Sequence, residues 1–332
     1  MSRCITIGVL VPTHGQAPTD PPETRPIGRA ALSVATDGVD VVFGDAVREG
    51  CISGYRAIPG GWEPVDSVPF DAIHDRFPSQ LRAQRYAEIL QGVGDLPMGN
   101  PVAFTMLCRD KLETQRVLEA QGVPMPAVCG DPQHFSAQLA AWGTGFIKPR
   151  YGALGIGVTR VKPGDPLPME LPGVVPQRPD PSILQAAIAP PEGWASRTVR
   201  VLIQRTPEGG WWSGTPVVRQ SREDPVANAA RGAQVASGDQ VLEEETLARL
   251  RIATDALCHA LDGIDPGGLA LEAGADFVLD TNHRPWLIEL NSRPRGRMEV
   301  LSAHDPERYQ AAHIMACARP ILRLAATVEM TH

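Results

Sequence analysis

The sequence predicts an α/β protein that contains a largely parallel sheet. Apolar, β-rich segments alternate with helical segments along the chain, an order typical of α/β layers. Glycine and proline, 32 of each, cluster in the connecting segments. In the first block we predict strands at residues 5–11, 39–43 and 71–77, a loop at 16–26 and a helix at about 79–91.

A second block of elements begins near Asp110. A helix at 110–121 ends normally, since Gly122 and Pro124 follow it, and a second helix is predicted at 132–142. The remaining segments are predicted as strands at 145–149, 158–161 and 183–188, a Gly-rich loop at 151–157 and a loose Pro-rich segment at 167–181.

The third block begins with two long β segments around a Gly209-Gly210 turn, which is a hairpin signal. The hairpin strands are predicted at 197–204 and 211–219, followed by an amphipathic helix at 243–261, two strands at 269–280 and 285–290, and a closing helix at 304–326. The turn at 281–283 makes the last two strands antiparallel neighbours.

Composition excludes several classes of protein. The 332 residues suggest two or three domains, and 43% hydrophobic with 21% charged residues is ordinary globular usage. A net charge of −7 without a Lys/Arg-rich block argues against a DNA binder, so we expect no nucleic-acid partner.

The six scattered cysteines contain no CxxC pair, and no stretch reaches the length of a membrane helix. The N-terminus lacks the apolar core of a signal peptide. We therefore expect a cytoplasmic protein with reduced thiols and no membrane partner.

Three oxygen-bearing side chains converge at one end of the last predicted hairpin. Antiparallel pairing places Asp276 near Glu289, and Asn291 points the same way as Glu289 because side chains alternate along a strand. Hard oxygen ligands, two of them anionic, suit Mg²⁺ that bridges nucleotide phosphates. The alternative is a structural hairpin with a turn aspartate and a salt-bridged glutamate.

A second candidate is a lysine that ends a strand just before the Gly-rich loop. Lys148 could contact phosphate oxygens while backbone N–H groups of Gly152, Gly155 and Gly157 cover them. The segment is neither a Walker A loop nor a Rossmann fingerprint, because no GK[ST] follows and a strand rather than a helix is predicted next. The alternative is an ordinary hairpin with a glycine turn.

Other candidates are weaker when each is taken alone. Lys111 opens a helix, where a lysine is usually solvated, and Arg200 and Arg219 lie in β-rich segments, where arginines often form salt bridges. Asn228 and Gly232 lie in a polar loop.

Taken in chain order, these segments resemble the ATP-grasp superfamily. The order is Asp110-Lys111, Lys148-Pro149 with the Gly-rich loop, Ile183-Leu184-Gln185, Arg200 and Arg219, Asn228 to Gly232, and Asp276 with Glu289-Leu290-Asn291. The Asp…Glu-x-Asn spacing is similar to that of the D-alanine–D-alanine ligase group. Segment 70–76, Trp211 to Gly214 and Arg219 resemble the endospore-coat-associated (YheC/YheD-type) branch. The resemblance implies an α/β pre-ATP-grasp domain at 1–105 and two α+β lobes that grip ATP, at 106–188 and 189–332.

The resemblance also implies a role for each matching residue. Nucleotide contacts are implied for Lys111, Lys148, the lid glycines Gly152, Gly155 and Gly157, the adenine hinge Gln185, Ala186, Ala187 and Ile188, and Glu192 near the ribose. Asp276, Glu289 and Asn291 would bind one or two Mg²⁺, with Mn²⁺ as the alternative ion. Arg200, Arg219 and Asn228 are implied as catalytic residues, the arginines stabilising the transferring phosphoryl group. Departures from the pattern occur at Thr198, Ala233 and Gly274.

The implied reaction is ATP-dependent ligation of a carboxylate to an amine through an acyl phosphate. The implied partners are ATP and small-molecule or peptide carboxylates and amines, and the resemblance allows a homodimer. The alternative is an ATP-binding protein with an assembly role and no ligase activity. A Rossmann dehydrogenase lacks support, because no GxGxxG follows the first strand.

Overall fold

The protein is described from a computed structural model. The structure describes residues 4–12, 16–18, 25–77, 82–151, 155–173, 179–226, 232–294 and 298–331. The predicted site residues Gly152 and Asn228 lie outside these described residues.

The described strands form three sheets. The first sheet contains β1 (Thr6–Leu10), β2 (Asp40–Arg48), β3 (Cys51–Ile58), β4 (Gly61–Pro69), β5 (Ala72–Asp75) and β6 (Met98–Gly99). The second contains β7 (Val128–Cys129), β8 (Gly145–Pro149), β9 (Thr159–Val161), β10 (Glu170–Leu171) and β11 (Asp180–Ala186). The third contains β12 (Ser196–Arg205), β13 (Trp211–Ser213), β14 (Val217–Ser221), β15 (Gln234–Ser237), β16 (Glu272–Leu279) and β17 (Pro285–Asn291).

Helices connect and cover these sheets. They are α1 (Arg25–Ala35), α2 (Arg82–Val93), α3 (Val102–Arg109), α4 (Lys111–Glu119), α5 (Phe135–Trp142) after a 3₁₀ turn at Pro132–His134, α6 (Gly238–Val241), α7 (Glu244–Ile264), α8 (Glu299–His304) and α9 (Pro306–Thr331). No described helix has the length and hydropathy needed to cross a membrane. All six cysteines lie in described segments and are free thiols.

The first sheet is only partly parallel. Its order is β4-β3-β2-β1-β5-β6, with parallel pairs β1–β2, β1–β5 and β5–β6. β2, β3 and β4 form an antiparallel meander that our prediction missed. Its outer strand exposes Pro64, Asp66, Ser67 and Pro69 and has no fully buried residue, a pattern that suits a sheet edge but gives little hydrophobic signal.

The second and third sheets are antiparallel, so the largely parallel expectation holds only for part of the first. The second has the order β10-β11-β8-β9, with β7 also on β11, and the third has the order β15-β14-β12-β16-β17, with β13 also on β12. Short turns rather than crossover helices join several of these strands, and short turns permit only antiparallel pairing. The predicted strand 211–219 divides into β13 and β14, because Gly214 N–H bonds to Leu202 O and Pro216 lacks a donor.

The third sheet has one apolar and one polar face. Val199, Val201 and Ile203 of β12 share a buried core with Leu257 and Leu261 of α7. The residues between them on β12 face the other side, where the chemistry-bearing side chains of β16 and β17 also lie. Helix α7 therefore anchors the sheet that presents the candidate site.

The closing helix packs against the first sheet. The predicted helix 304–326 corresponds to α9, which begins at Pro306, a favourable place for proline, whereas α8 before it was not predicted. Ile321 and Leu324 of α9 share a core with Ala30 of α1 and Ile7 of β1. The strands of each sheet fall within one of the predicted domain ranges, whereas α9 joins the third range to the first; the division into domains remains a proposal.

Candidate functional site

Asp276 and Glu289 face each other across the last hairpin. The β16–β17 register pairs Asp276 with Glu289 and Gly274 with Asn291, and a bulge follows between Asp276 and Phe277. A bulge re-aims the neighbouring side chains and is common beside functional sites. The adjacency of Asp276 and Glu289, which strand alternation predicted, is therefore present in the structure.

Arginines from the neighbouring strands surround Asp276. Arg200 donates from Nε to Asp276 Oδ1 at 2.7 Å and from Nη2 to Oδ2, which is a bidentate pair. Arg219 Nη1 lies 3.9 Å from Oδ1, and Asn291 Nδ2 donates to Oδ2 at 3.1 Å. Burial lowers the pKa of Arg200, but the Asp276 carboxylate outweighs it and the pKa is raised. Burial and repulsion by Arg200 lower the pKa of Arg219.

Two lysines approach the same place from the second sheet and α4. Lys148, at the end of β8, is buried and donates from Nζ to Gln185 Oε1 at 2.8 Å. Burial, aided by repulsion from Lys111, lowers its pKa to about 7, against the opposing pull of Glu289. Lys111 Nζ lies 3.9 Å from Glu289 Oε1. Lys111 and Glu289 thus connect the two parts of the candidate site.

An ion pair holds Lys111 beside Lys148. Asp110 caps α4 by accepting from the backbone N–H groups of its first turn, and Arg150 donates to it from Nε at 2.7 Å and Nη2 at 2.6 Å. The backbone N–H of Lys111 also bonds to Arg150 O at 3.2 Å. The start of α4 is therefore fastened to the end of β8. Our sequence reasoning assigned no role to Arg150, although its position directly after Lys148-Pro149 was a signal.

The Gly-rich loop connects two antiparallel strands. β8 pairs with β9, so a strand rather than a helix follows the glycines, as predicted. Gly155 and Gly157 have φ of 71° and 72°, a region that favours glycine, and a Cβ on Gly157 would lie 2.9 Å from Pro149 Cγ. These two positions need glycine for backbone reasons alone.

The predicted hinge residues lie at and beyond the end of β11. The N–H groups of Ala186 and Ala187 donate to Ala127 O at 2.8 Å and Thr144 O at 3.0 Å, so both are used within the fold. Ile188 is half-buried, and Glu192 is exposed in a turn. A ligand at this hinge would therefore have to meet carbonyl oxygens or the N–H of a later residue.

Comparisons with known proteins agree on the architecture. Residues 182–316 match the family model of YheC/D-like ATP-grasp proteins. Three similar solved structures are ligases: D-alanyl-alanine synthetase A from Vibrio cholerae (13% identity, TM-score 0.56, 96% of this chain and 98% of that one), VanG D-Ala:D-Ser ligase from Enterococcus faecalis (13%, 0.60, 97% and 100%), and a RiPP-associated ATP-grasp ligase from Chryseobacterium gregarium in complex with ADP and a leader and core peptide (11%, 0.57, 95% and 96%). The chain therefore has the ATP-grasp fold. A search of curated proteins gave no match.

The residues of the candidate site fit nucleotide phosphates. Lys148 is a buried amine whose bond goes to a neutral amide oxygen, an arrangement that disfavours its charged form. A phosphate oxygen beside Lys148 and Lys111 would supply the missing negative charge. The donor set therefore suits an anion.

The same candidate site fits a divalent cation only together with a nucleotide. Asp276, Glu289 and Asn291 offer hard oxygens, which suit Mg²⁺. Among the described residues, no group of three or more His, Cys, Asp or Glu side chains could hold a metal by itself. Both Asp276 oxygens already accept bonds from Arg200, and Oδ2 also accepts from Asn291, so only Oδ1 keeps a further lone pair. The remaining ligands would have to be phosphate oxygens and water.

Proposed function

We propose that the chain is an ATP-dependent ligase that joins a carboxylate to an amine. The observation that carries this proposal is the meeting of Lys111 and Lys148 with the Asp276–Glu289 pair in one place. Phosphate-binding cations and metal-binding carboxylates on facing elements are what transfer of a phosphoryl group requires. The ATP-grasp fold of the chain supports the proposal.

In this proposal the lysines bind nucleotide phosphates. Lys148 and Lys111 contact phosphate oxygens, and the loop containing Gly152, Gly155 and Gly157 covers them. Gln185, which already orients Lys148 through Oε1, lies at the hinge with Ala186, Ala187 and Ile188, where adenine would bind, and Glu192 is the candidate for the ribose hydroxyls.

The arginines act on the transferring group. The substrate carboxylate attacks the γ-phosphate to give an acyl phosphate and ADP, and the amine then displaces inorganic phosphate to form the amide. Arg200 and Arg219, both directed at Asp276, would stabilise charge on the transferring phosphoryl group, and Asn228 would assist. Catalysis is positioning plus charge stabilisation and needs no protein nucleophile.

Asp276, Glu289 and Asn291 would hold Mg²⁺, or Mn²⁺ in its place. The ion, when bound, offsets phosphate charge and orients the reacting oxygens. Four cationic side chains surround these two carboxylates, so the metal alone should bind weakly. Nucleotide and metal should instead strengthen each other's binding.

The similar structures indicate which classes of substrate to test. The similar structures include a D-Ala:D-Ser ligase and a ligase bound to a leader and core peptide, so amino acids and peptides are the candidates for this chain.

Two measurements test the proposed function. Calorimetry and thermal shift with ADP, with and without Mg²⁺, should show binding, and a ligand in hundredfold excess over its Kd stabilises the native state by about 2.7 kcal/mol. ADP release with a panel of amino acids and peptides then tests ligation. A thermal shift with NAD but none with millimolar ADP or ATP would reject the proposal. Nucleotide binding without ADP release across the panel would favour the assembly role instead.

A further inference from the structure

The segment at residues 70–76 is not used by the nucleotide site. It contains β5, a strand inside the first sheet. The carboxyl end of β5 lies beside the third sheet. Arg76 follows β5 directly, and Asn100 follows the neighbouring strand β6. Both side chains reach across to the third sheet.

Asn100 makes the most complete set of cross-sheet contacts. It is fully buried, and its φ is 56°, a conformation that asparagine adopts more readily than most residues. Its Oδ1 accepts from Leu271 N at 2.7 Å and Glu272 N at 3.1 Å, and its Nδ2 donates to Glu272 O at 2.9 Å and to Ser292 O. The amide therefore bonds to β16 at its start and to the chain just after β17.

Arg76 and Arg293 hold the same stretch from the other side. Arg76 donates from Nη1 to the buried Glu272 at 2.8 Å and from Nη2 to Pro294 O at 3.4 Å. Arg293 donates from Nη1 to Phe77 O at 2.7 Å and lies 3.7 Å from Asp75 Oδ2. A Cβ on Gly274 would lie 3.1 Å from Pro294 Cβ, so Gly274 allows this stretch to fold closely over β16.

Some of these contacts hold the start of β16, and the others hold residues 292–294, which directly follow Asn291. The β16–β17 pairing ends at Gly274 and Asn291, and beyond that point Asn100 bonds to backbone groups of both chain segments. The position of Asn291 is therefore set from one side by β16 and from the other by the first sheet.

We propose that Asn100 and Arg76 are positioning residues for the nucleotide–metal site. They fix residues 292–294 and thereby the direction of the Asn291 side chain, which makes the first sheet a part of the metal site rather than a neighbour of it. The inference rests on the proposed function in one respect, the assignment of Asn291 as a metal ligand.

Two variants test the proposal at different strengths. Asn100→Asp keeps an acceptor for Leu271 N and Glu272 N but places a second oxygen against the carbonyls of Glu272 and Ser292. Arg76→Lys keeps the charge and loses the two-pronged contact to Glu272 and Pro294 O, so it is the milder variant and is interpreted alone if Asn100→Asp does not fold.

The control variants separate positioning from general stability. Arg56→Gln removes ion pairs to Asp40 and Glu63 in the same sheet, at distances of 3.2 and 3.3 Å, away from residues 292–294. Asn291→Ala removes the proposed ligand itself.

The first readout is the factor by which Mg²⁺ tightens ADP binding in calorimetry. Partners that orient metal ligands typically contribute about 10- to 100-fold to metal affinity. We expect a loss of about tenfold in this factor in Asn100→Asp and a smaller loss in Arg76→Lys, with ADP binding in chelator unchanged within about twofold. The second readout is hydrogen exchange, which should become faster for residues 287–294 and not for β12.

Three results would overturn the proposal. In one, Mg²⁺ tightens ADP binding in both variants as much as in wild type but no longer does so in Asn291→Ala. This result rejects the positioning role and leaves the proposed function intact. Another is hydrogen exchange at residues 287–294 that is unchanged in both variants. The third is a loss of the Mg²⁺ effect on ADP binding in Arg56→Gln that equals the loss in the two variants. If wild type shows no Mg²⁺ factor at all, the metal assignment itself fails and this inference fails with it.

Discussion

The lysines and the arginines of the candidate site carry the same charge but are held in different ways. Lys148 donates to a neutral amide, and its pKa is lowered to about 7 mainly by burial. Arg200 forms a bidentate pair with Asp276, which raises its pKa despite burial. The bond of Lys148 thus goes to a neutral oxygen, whereas the charge of Arg200 is compensated by a carboxylate. A phosphate should therefore bind first at the lysines, and the arginines should exchange part of their contact with Asp276 during transfer.

The largest expected effect comes from removing the carboxylate that faces both groups. Glu289→Gln keeps the shape but removes the charge beside Lys111, and phosphoryl transfer should fall by about a hundredfold or more, as for other preorganised charges. Mg²⁺-dependent ADP release measures this effect. Asn291→Asp should instead retain metal affinity while binding ATP more weakly, because it adds a negative charge near phosphate.

The matched control for Glu289→Gln is Glu299→Gln, at an exposed position on α8. It should leave ADP release unchanged. Wild-type metal dependence in Glu289→Gln would mean that Asp276, Glu289 and Asn291 form only a structural hairpin.

Removing the buried lysine should have the next largest effect. Hydrogen bonds to charged groups contribute about 1.5–3 kcal/mol, so Lys148→Met should weaken ADP binding by about 10- to 150-fold. Lys162→Met, on an exposed lysine of the same lobe, is the control and should bind ADP normally. Calorimetry that finds equal affinities for the two variants would place Lys148 outside the nucleotide site.

The last hairpin and the adjacency of Asp276 and Glu289 were predictable, because both depend on local signals. Strand alternation and a short polar turn are enough to bring Asp276 opposite Glu289. The strand that ends in Lys148, and the strand after the Gly-rich loop, were predictable for the same reason. The family resemblance supplied the order of the elements, which no single motif could.

The contacts between sheets were not predictable from the sequence. Asn100 follows a strand of two residues and reads as an ordinary loop residue, yet its amide joins two sheets. The edge strand β4 was missed because an exposed edge lacks hydrophobic periodicity, and its neighbour β3 was missed because most of its residues are only half-buried. The Arg200–Asp276 pair depends on the register of β12 with β16, which joins residues far apart in the chain.

The low pKa of Lys148 predicts that ADP affinity depends on pH. The free amine titrates near pH 7, and a nearby phosphate raises its pKa, so binding takes up a proton above pH 7. Affinity should therefore fall as pH rises, by at most about tenfold per unit, until the pH reaches the pKa of the bound state. Calorimetry in buffers of different ionisation enthalpy measures the proton uptake directly. Lys148→Met should lose this component, and an unchanged pH profile in that variant would assign it to another group.

The smallest effect concerns the ion pair that places Lys111. Asp110→Asn keeps the cap of α4, since asparagine caps as well as aspartate, but it removes the charge that holds Arg150. Partly exposed pairs contribute about 0.2–1 kcal/mol, so ADP binding should weaken by no more than about fivefold. Arg150→Gln should have the same effect, and the double variant should lose no more than either single one, because both remove one interaction. Asp131→Asn, a cap of the same type at the 3₁₀ turn, lacks an arginine partner among the contacts of the described residues and should bind ADP normally. Additive losses in the double variant would show that Asp110 and Arg150 act on ADP binding separately.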